Sequence, residues 1–167
     1  DGVDDFVSVA DAPNLRFGPT SPMTVEMWVF RTSSNPGQHM IGKRISCTGS
    51  PTEGTFQLFL DMNTGAGLGF GGPSDACACS GQDLPLNTWT HLAGTFDGTT
   101  LHLFINGQLA ATATGSLGPA NTAPLKIGDS GSCGAFYGQD FAGLIDEVSL
   151  YNRALSTNEI QALYNAG

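Results

Sequence analysis

The chain has 167 residues, 23 of them glycine and 9 proline, and a formal net charge of −9. That length suits a single domain, 1–167, able to bury roughly two thirds of its unfolded surface. The acidic balance, with only 13% of residues charged, argues against a nucleic-acid partner, and no apolar run approaches the ~20 residues of a membrane span.

In chain order, Asp4–Ala10 alternates as a strand and Asp11–Pro22 is a proline-bearing loop. Thr24–Phe30 has large apolar groups on both sides, which predicts a central strand covered on both faces. His39–Ile45, Phe56–Met62 (Phe56, Leu58 and Leu60 inward) and a short Gly-rich strand, Ala66–Phe70, follow. A long loop, Gly71–Asp83, leads to the stretch around which the rest is organised, WTHLAGTFDGTTLHLFINGQLAATAT from Trp89 to Thr114. Asp97-Gly98 turns Trp89–Phe96 into Leu101–Asn106. Asn106-Gly107 then turns that strand into the next, because a type I′ turn needs positive φ at both central residues. Gly115–Ala123 connects to Pro124–Gly128, the loop Asp129–Asp140 follows, and Phe141–Tyr151 is the last strand. Ser156-Thr157-Asn158-Glu159 reads as a capping box opening one short helix with Ile160, Leu163 and Tyr164 on its apolar stripe. Many short strands and one terminal helix predict an all-β, two-sheet antiparallel jelly-roll sandwich. Trp28 and Trp89, both within strands, are expected in its core.

Four cysteines, Cys47, Cys77, Cys79 and Cys133, lie in Gly/Ser/Pro-rich loops. An even count in such loops predicts two disulfides and a secreted, extracellular setting; a zinc site lacks its usual paired spacing. If successive strands alternate in direction, the loops 47–54, 71–83 and 129–140 share one rim. Cys77 and Cys79 are then expected to bridge outward rather than to each other, one to Cys47 and the other to Cys133, with Cys47–Cys77 and Cys79–Cys133 preferred over the exchanged pairing. No signal peptide is present, and the chain runs from a strand near Asp1 to a helix at Gly167, so it is expected to be a module of a longer multidomain chain.

WTHLAGTFDGTTLHLFINGQLAA, the ending FAGLIDEVSLYNRALSTNEIQALY and the beginning DGVDDFVSVADAPNLRFGPTSPMTVEMWV together resemble the laminin-G-like, concanavalin-A-like lectin/glucanase jelly rolls. The resemblance spans essentially the whole chain. It implies the sandwich fold and, for many members, a structural calcium between the first and last strands. The residues here offer Asp146, placed by alternation on the face of Leu144, Val148 and Leu150, with Asp1, Asp4 and Asp5 on a first strand expected to pair with the last. A buried carboxylate must be paired, hydrogen-bonded or metal-bound, and oxygen-rich clusters suit Ca²⁺. The alternative is that Asp146 caps backbone N–H groups while Asp4 and Asp5 are solvated. A second, ligand-bridging calcium could use Asp75, Asp83, Asp129 and Asp140, although loop aspartates are commonly turn residues.

Carbohydrate is the partner these features favour. Phe136 and Tyr137 sit in a Gly-rich loop and can stack on sugar faces while Gln139, Asp140 and Asn121 bond hydroxyls; alternatively the rings plug the end of the sandwich. Catalysis finds little support. A glycosidase needs two positioned carboxylates, and the E-x-D-x-E strand motif of laminarinase-like enzymes is absent among Glu26, Glu53, Glu147 and Glu159. His91 and His102 read as ordinary strand histidines. The expected function is a non-catalytic, secreted carbohydrate-binding module. The rivals are a protein-adhesion module and, behind it, a glycan hydrolase or lyase using Glu26 and a rim acid.

Overall fold

The computed structural model describes residues 5–35, 37–45, 54–61, 67–71, 77–129 and 139–167. The calls on Asp1, Asp4, Cys47, Asp75, Cys133, Phe136 and Tyr137 lie outside these residues. Two sheets face each other. One runs β1(Val7–Val9), β10(Leu125–Ile127), β3(Gln38–Arg44), β4(Gly54–Asp61), β5(Gly67–Gly71), β6(Cys77–Cys79), with β11(Gln139–Asp140) parallel to β3. The other runs β12(Gly143–Tyr151), β2(Met23–Arg31), β7(Trp89–Phe96), β8(Thr100–Ile105), β9(Gln108–Thr114). All pairings but that of β11 within the two sheets are antiparallel, which with the short helix α1(Thr157–Ala166) makes the expected jelly-roll sandwich.

Period-two alternation builds the core. Met23, Val25, Met27 and Val29 of β2 face Phe56, Leu58 and Leu60 of β4, with Leu92, Leu101 and Leu103 completing the layer. The outer side of this sheet is covered as well: Ile160 of α1 and Leu155 just before it pack with Ala93 of β7 and Phe104 of β8, and Tyr164 stacks on Trp28 of β2. At the organising turn, Asn106 (φ 50°) and Gly107 (φ 72°) take the positive angles a type I′ turn requires. Among the described residues no helix is long and apolar enough to cross a membrane.

Four expectations are corrected. Strand β1 pairs with β10, and β12 pairs with β2, so the first and last strands lie in different sheets. A register shift between Asp146 and Ser149 puts Ile145, Val148 and Leu150 against the core, leaving Asp146 exposed and Leu144 57% exposed. Trp28 and Trp89 stand on the outer face, Trp28 half-buried and Trp89 42% exposed. Cys77 and Cys79 are joined to each other. Residues two apart on a strand share a face, and their Cα atoms are 5.2 Å apart, within disulfide reach.

The shared-rim argument fails too. Gly128 and Gln139, which flank the Cys133 segment, lie beside Met40 and Gln38 at the start of β3, whereas Gly54, closing the Cys47 segment, pairs with Arg44 at its end. The strand Cys77–Cys79, not counted from the sequence, adds one reversal, so β10 runs antiparallel to β3 and the segment after it leaves at the other end. The chain crosses from one sheet to the other at 115–124. There Gly118 N–H donates to the Thr55 carbonyl at 2.8 Å and Leu117 packs into the core.

Candidate functional site

Because Phe56, Leu58 and Leu60 point inward, Gln57 and Phe59 face out from the seven-stranded sheet. Register carries each of them across several strands. Phe59 lies between His39 on β3 and Gly69 on β5, and Gly69 pairs with Cys79. Gln57 lies between Gly42 and Gly71, and Gly71 pairs with Cys77. The result is two parallel rows, one led by rings and one by polar groups, floored by glycines and closed by the disulfide. His39 and Phe59 stack with centroids 5.9 Å apart and planes at 23°. The Arg44 guanidinium donates to Gln57 Oε1 at 2.7 Å. Lys126, opposite Gly42, extends the polar row and holds its ammonium 3.5 Å from the Phe6 ring centre and 3.1 Å from Asp129. Phe59 and Arg44 are half-buried above a nearly buried His39 and Gln57.

Glycine inside a strand costs order but lets another molecule approach the backbone closely. Gly42 is tightly held, since a Cβ there would meet the Phe56 carbonyl oxygen at 3.3 Å. A flat ring, a fixed guanidinium and a bare backbone are the parts a polyhydroxylated ligand uses: stacking for its C–H face, charged and amide donors for its oxygens.

The other buried charges serve the fold. Arg31 pairs with Asp83 and donates to the Asn35 carbonyl at 2.9 Å. Lys43 reaches Asp11 at 2.7 Å and donates to the Ala123 carbonyl. His91 Nε2 lies 3.1 Å from Glu26, both buried beneath the helix side of the five-stranded sheet. Glu26, the carboxylate of the hydrolase reading, is 6% exposed and engaged there.

The remaining predicted residues are not brought together. Asn121 donates to Thr55 Oγ1 at 3.2 Å and accepts from Ala123 N–H at 3.0 Å, fastening its own loop. Thr55 follows Gly54 at the far end of β3, while Gln139 and Asp140 pair beside Gln38 and His39 at its start. Asp146 Oδ1 accepts from the Glu147 N–H at 2.8 Å, the capping role weighed against calcium. Asp5 precedes β1, which lies in the sheet opposite that of Asp146, and among the described residues no three acidic, histidine or cysteine side chains gather as a metal site. Asp83 and Asp129 are taken by Arg31 and Lys126. Among the described residues, Asp5, Asp83, Asp129, Asp140 and Asp146 do not by themselves come together as a calcium site. The face made by Phe59, Gln57 and Arg44 was missed, although the alternation of TFQLFLD already points Gln57 and Phe59 outward.

A model of the concanavalin A-like lectin/glucanases superfamily, Laminin_G_3, matches residues 1–161. The chain belongs to this family. No curated protein matches it. Among solved structures, it resembles domain 4 of AbnA, a GH43 extracellular arabinanase from Geobacillus stearothermophilus, in complex with arabinotriose. That likeness has 20% identity and TM-score 0.71, over 95% of this chain and 72% of that one. The CBM40 of the Ruminococcus gnavus IT-sialidase, bound to α2,3 sialyllactose, is 17% identical, TM-score 0.69, over 96% of both chains. The heptameric SAP-like pentraxin of Limulus polyphemus is 14% identical, TM-score 0.61, over 98% of this chain and 83% of that one. At such identities the likenesses show the fold alone.

Proposed function

We propose that this laminin-G-like domain is a non-catalytic carbohydrate-binding module of a secreted, multidomain protein. The observation that carries the reading is the strip on the seven-stranded sheet, where the Phe59 ring and the Arg44–Gln57 pair stand over glycine-floored strands. The arabinotriose and sialyllactose held by two of its structural likenesses support the same partner class. Burial of Glu26 against His91 argues against the hydrolase reading. A disulfide favours an oxidising compartment. Phe136 and Tyr137 are proposed, as the sequence suggests, to contribute stacking rings as well.

Calorimetry against plant, algal and animal glycans tests this, with and without EDTA. Phe59→Ala is expected to weaken binding by roughly tenfold or less, the scale of ~0.5–1.5 kcal/mol per stacked ring. Arg44→Ala is expected to do at least as much, and the Phe136→Ala/Tyr137→Ala pair to lose binding severely with an intact fold. Full affinity in all three variants, or no glycan bound by the parent, would sink the proposal and leave protein adhesion.

A further inference from the structure

The opposite sheet carries a second, chemically different pocket. On its outer face Trp28, Trp89, Asp146, Glu147 and Gly167 line a cavity of about 270 Å³. Both indoles are braced. Trp28 stacks on Tyr164 with centroids 5.8 Å apart and meets the His91 ring at 5.4 Å, and Trp89 rests on Phe30 at 5.6 Å. Neighbouring strand residues normally point to opposite faces, yet Asp146 and Glu147 both line this cavity. The cause is the bulge at this point of β12, where Glu147 takes φ 51°. Bulges re-aim side chains in this way.

The charge pattern is one-sided. The chain has 6 lysines and arginines, and the structure commits each one elsewhere. Arg16 and Lys43 go to Asp11, Arg31 to Asp83, Arg44 to Gln57, Lys126 to Asp129 and Arg153 to Glu159. No cation of the described chain offsets the two carboxylates. A neutral ligand filling the cavity would strip water from both without compensation. Two acids are too few for a calcium cage. A soft organic cation satisfies rings and acids together, because indole faces attract cations and the carboxylates supply the counter-charge.

We propose that this pocket binds a quaternary ammonium group, independently of the carbohydrate strip on the other sheet. The protein's 2 tryptophans both line the cavity, so indole fluorescence reports on it directly. Titration with choline chloride at low salt is expected to give a saturable change at roughly millimolar concentration. The uncharged isostere 3,3-dimethylbutan-1-ol is expected to bind at least tenfold more weakly. Asp146→Asn/Glu147→Gln, exposed changes that keep the Asp146 acceptor, is expected to weaken choline tenfold or more with an unchanged melting curve. If free choline binds, co-sedimentation with phosphatidylcholine vesicles assigns the head to a lipid and its absence to a soluble ligand. No saturable response to choline, equal binding of the isostere, or undiminished binding by the double variant overturns the proposal. The isostere comparison uses the unaltered protein, so it decides even if the variant does not fold.

Discussion

Glu147 holds a left-handed backbone that costs an L-residue about 1–2 kcal/mol, and the shape of β12 follows from it. Before it Ile145 faces the core, and after it Val148 and Leu150 do, so one step of the alternation is skipped. Nothing in FAGLIDEVSLY marks the skip, which is why a period-two reading buries Asp146. The cysteines were misread for a related reason. Gly71–Asp83 looks like loop because of its glycines, yet Cys77–Cys79 forms a strand on β5, and strand geometry is what lets its ends meet. A bridge spanning a sequence separation of 2 restricts the unfolded chain little, so replacing Cys77 and Cys79 by alanine is expected to cost under about 2 kcal/mol. Non-reducing peptide mapping should recover both cysteines in one bridged peptide. A thiol at either position would contradict the pairing.

The elements most legible in the sequence are those whose signals are local. The Asn106-Gly107 turn is one, because its residues fix their own backbone angles. Gly107 also lies under the helix, where an added Cβ would come within 3.0 Å of the Tyr164 ring. Gly107→Ala should therefore lose about 1–2 kcal/mol from the backbone angle alone, lowering the melting temperature by roughly 2–8 °C; an unchanged melting curve would show that the turn relaxes freely. The helix cap is equally local. Ser156 N–H donates to Glu159 Oε2 at 2.9 Å, and Glu159 N–H donates back to Ser156 Oγ at 3.4 Å. Arg153 clamps the same carboxylate at 2.7 Å. The guanidinium first, then the Ser156 amide and hydroxyl, hold Glu159 down from its ordinary 4.5 to about 2. A depressed carboxylate adds stability above its unfolded value and loses it as pH falls from 4.5 toward 2. Glu159→Gln is thus expected to melt below the parent at pH 6, with the gap closing as the pH approaches 2. A gap independent of pH would place the effect in the amide's own contacts.

At the scale of the whole molecule the sequence is least legible, because sheet membership depends on where the chain changes sheets. The strands of the central meander pair in sequence order, as expected, but 115–124 carries the chain from β9 across to β10 in the other sheet. Neither the pairing of β1 with β10 nor the separation of the loop ends follows from local signals. One residue marks the crossing in the folded protein. Lys43, fully buried on β3, joins Asp11 from the first loop to the Ala123 carbonyl at the end of the crossing. Asp11 also holds Arg16 at 2.5 Å, so its carboxylate keeps a partner when Lys43 is removed, and Arg16 followed by Lys43 lowers its pKa. Truncating Lys43 to alanine leaves a void and an unpartnered carbonyl. The expected cost is about 3 kcal/mol, the low end for a broken buried pair since Asp11 stays compensated, or roughly 6–12 °C of melting temperature. Lys43→Met fills the same volume but, like alanine, leaves the Ala123 carbonyl unpartnered, a cost of about 1–3 kcal/mol. It should melt above Lys43→Ala, because no void is left, and below the parent. If Lys43→Met falls as far as Lys43→Ala, the ammonium's bonds rather than its volume hold the first loop and the crossing to β3.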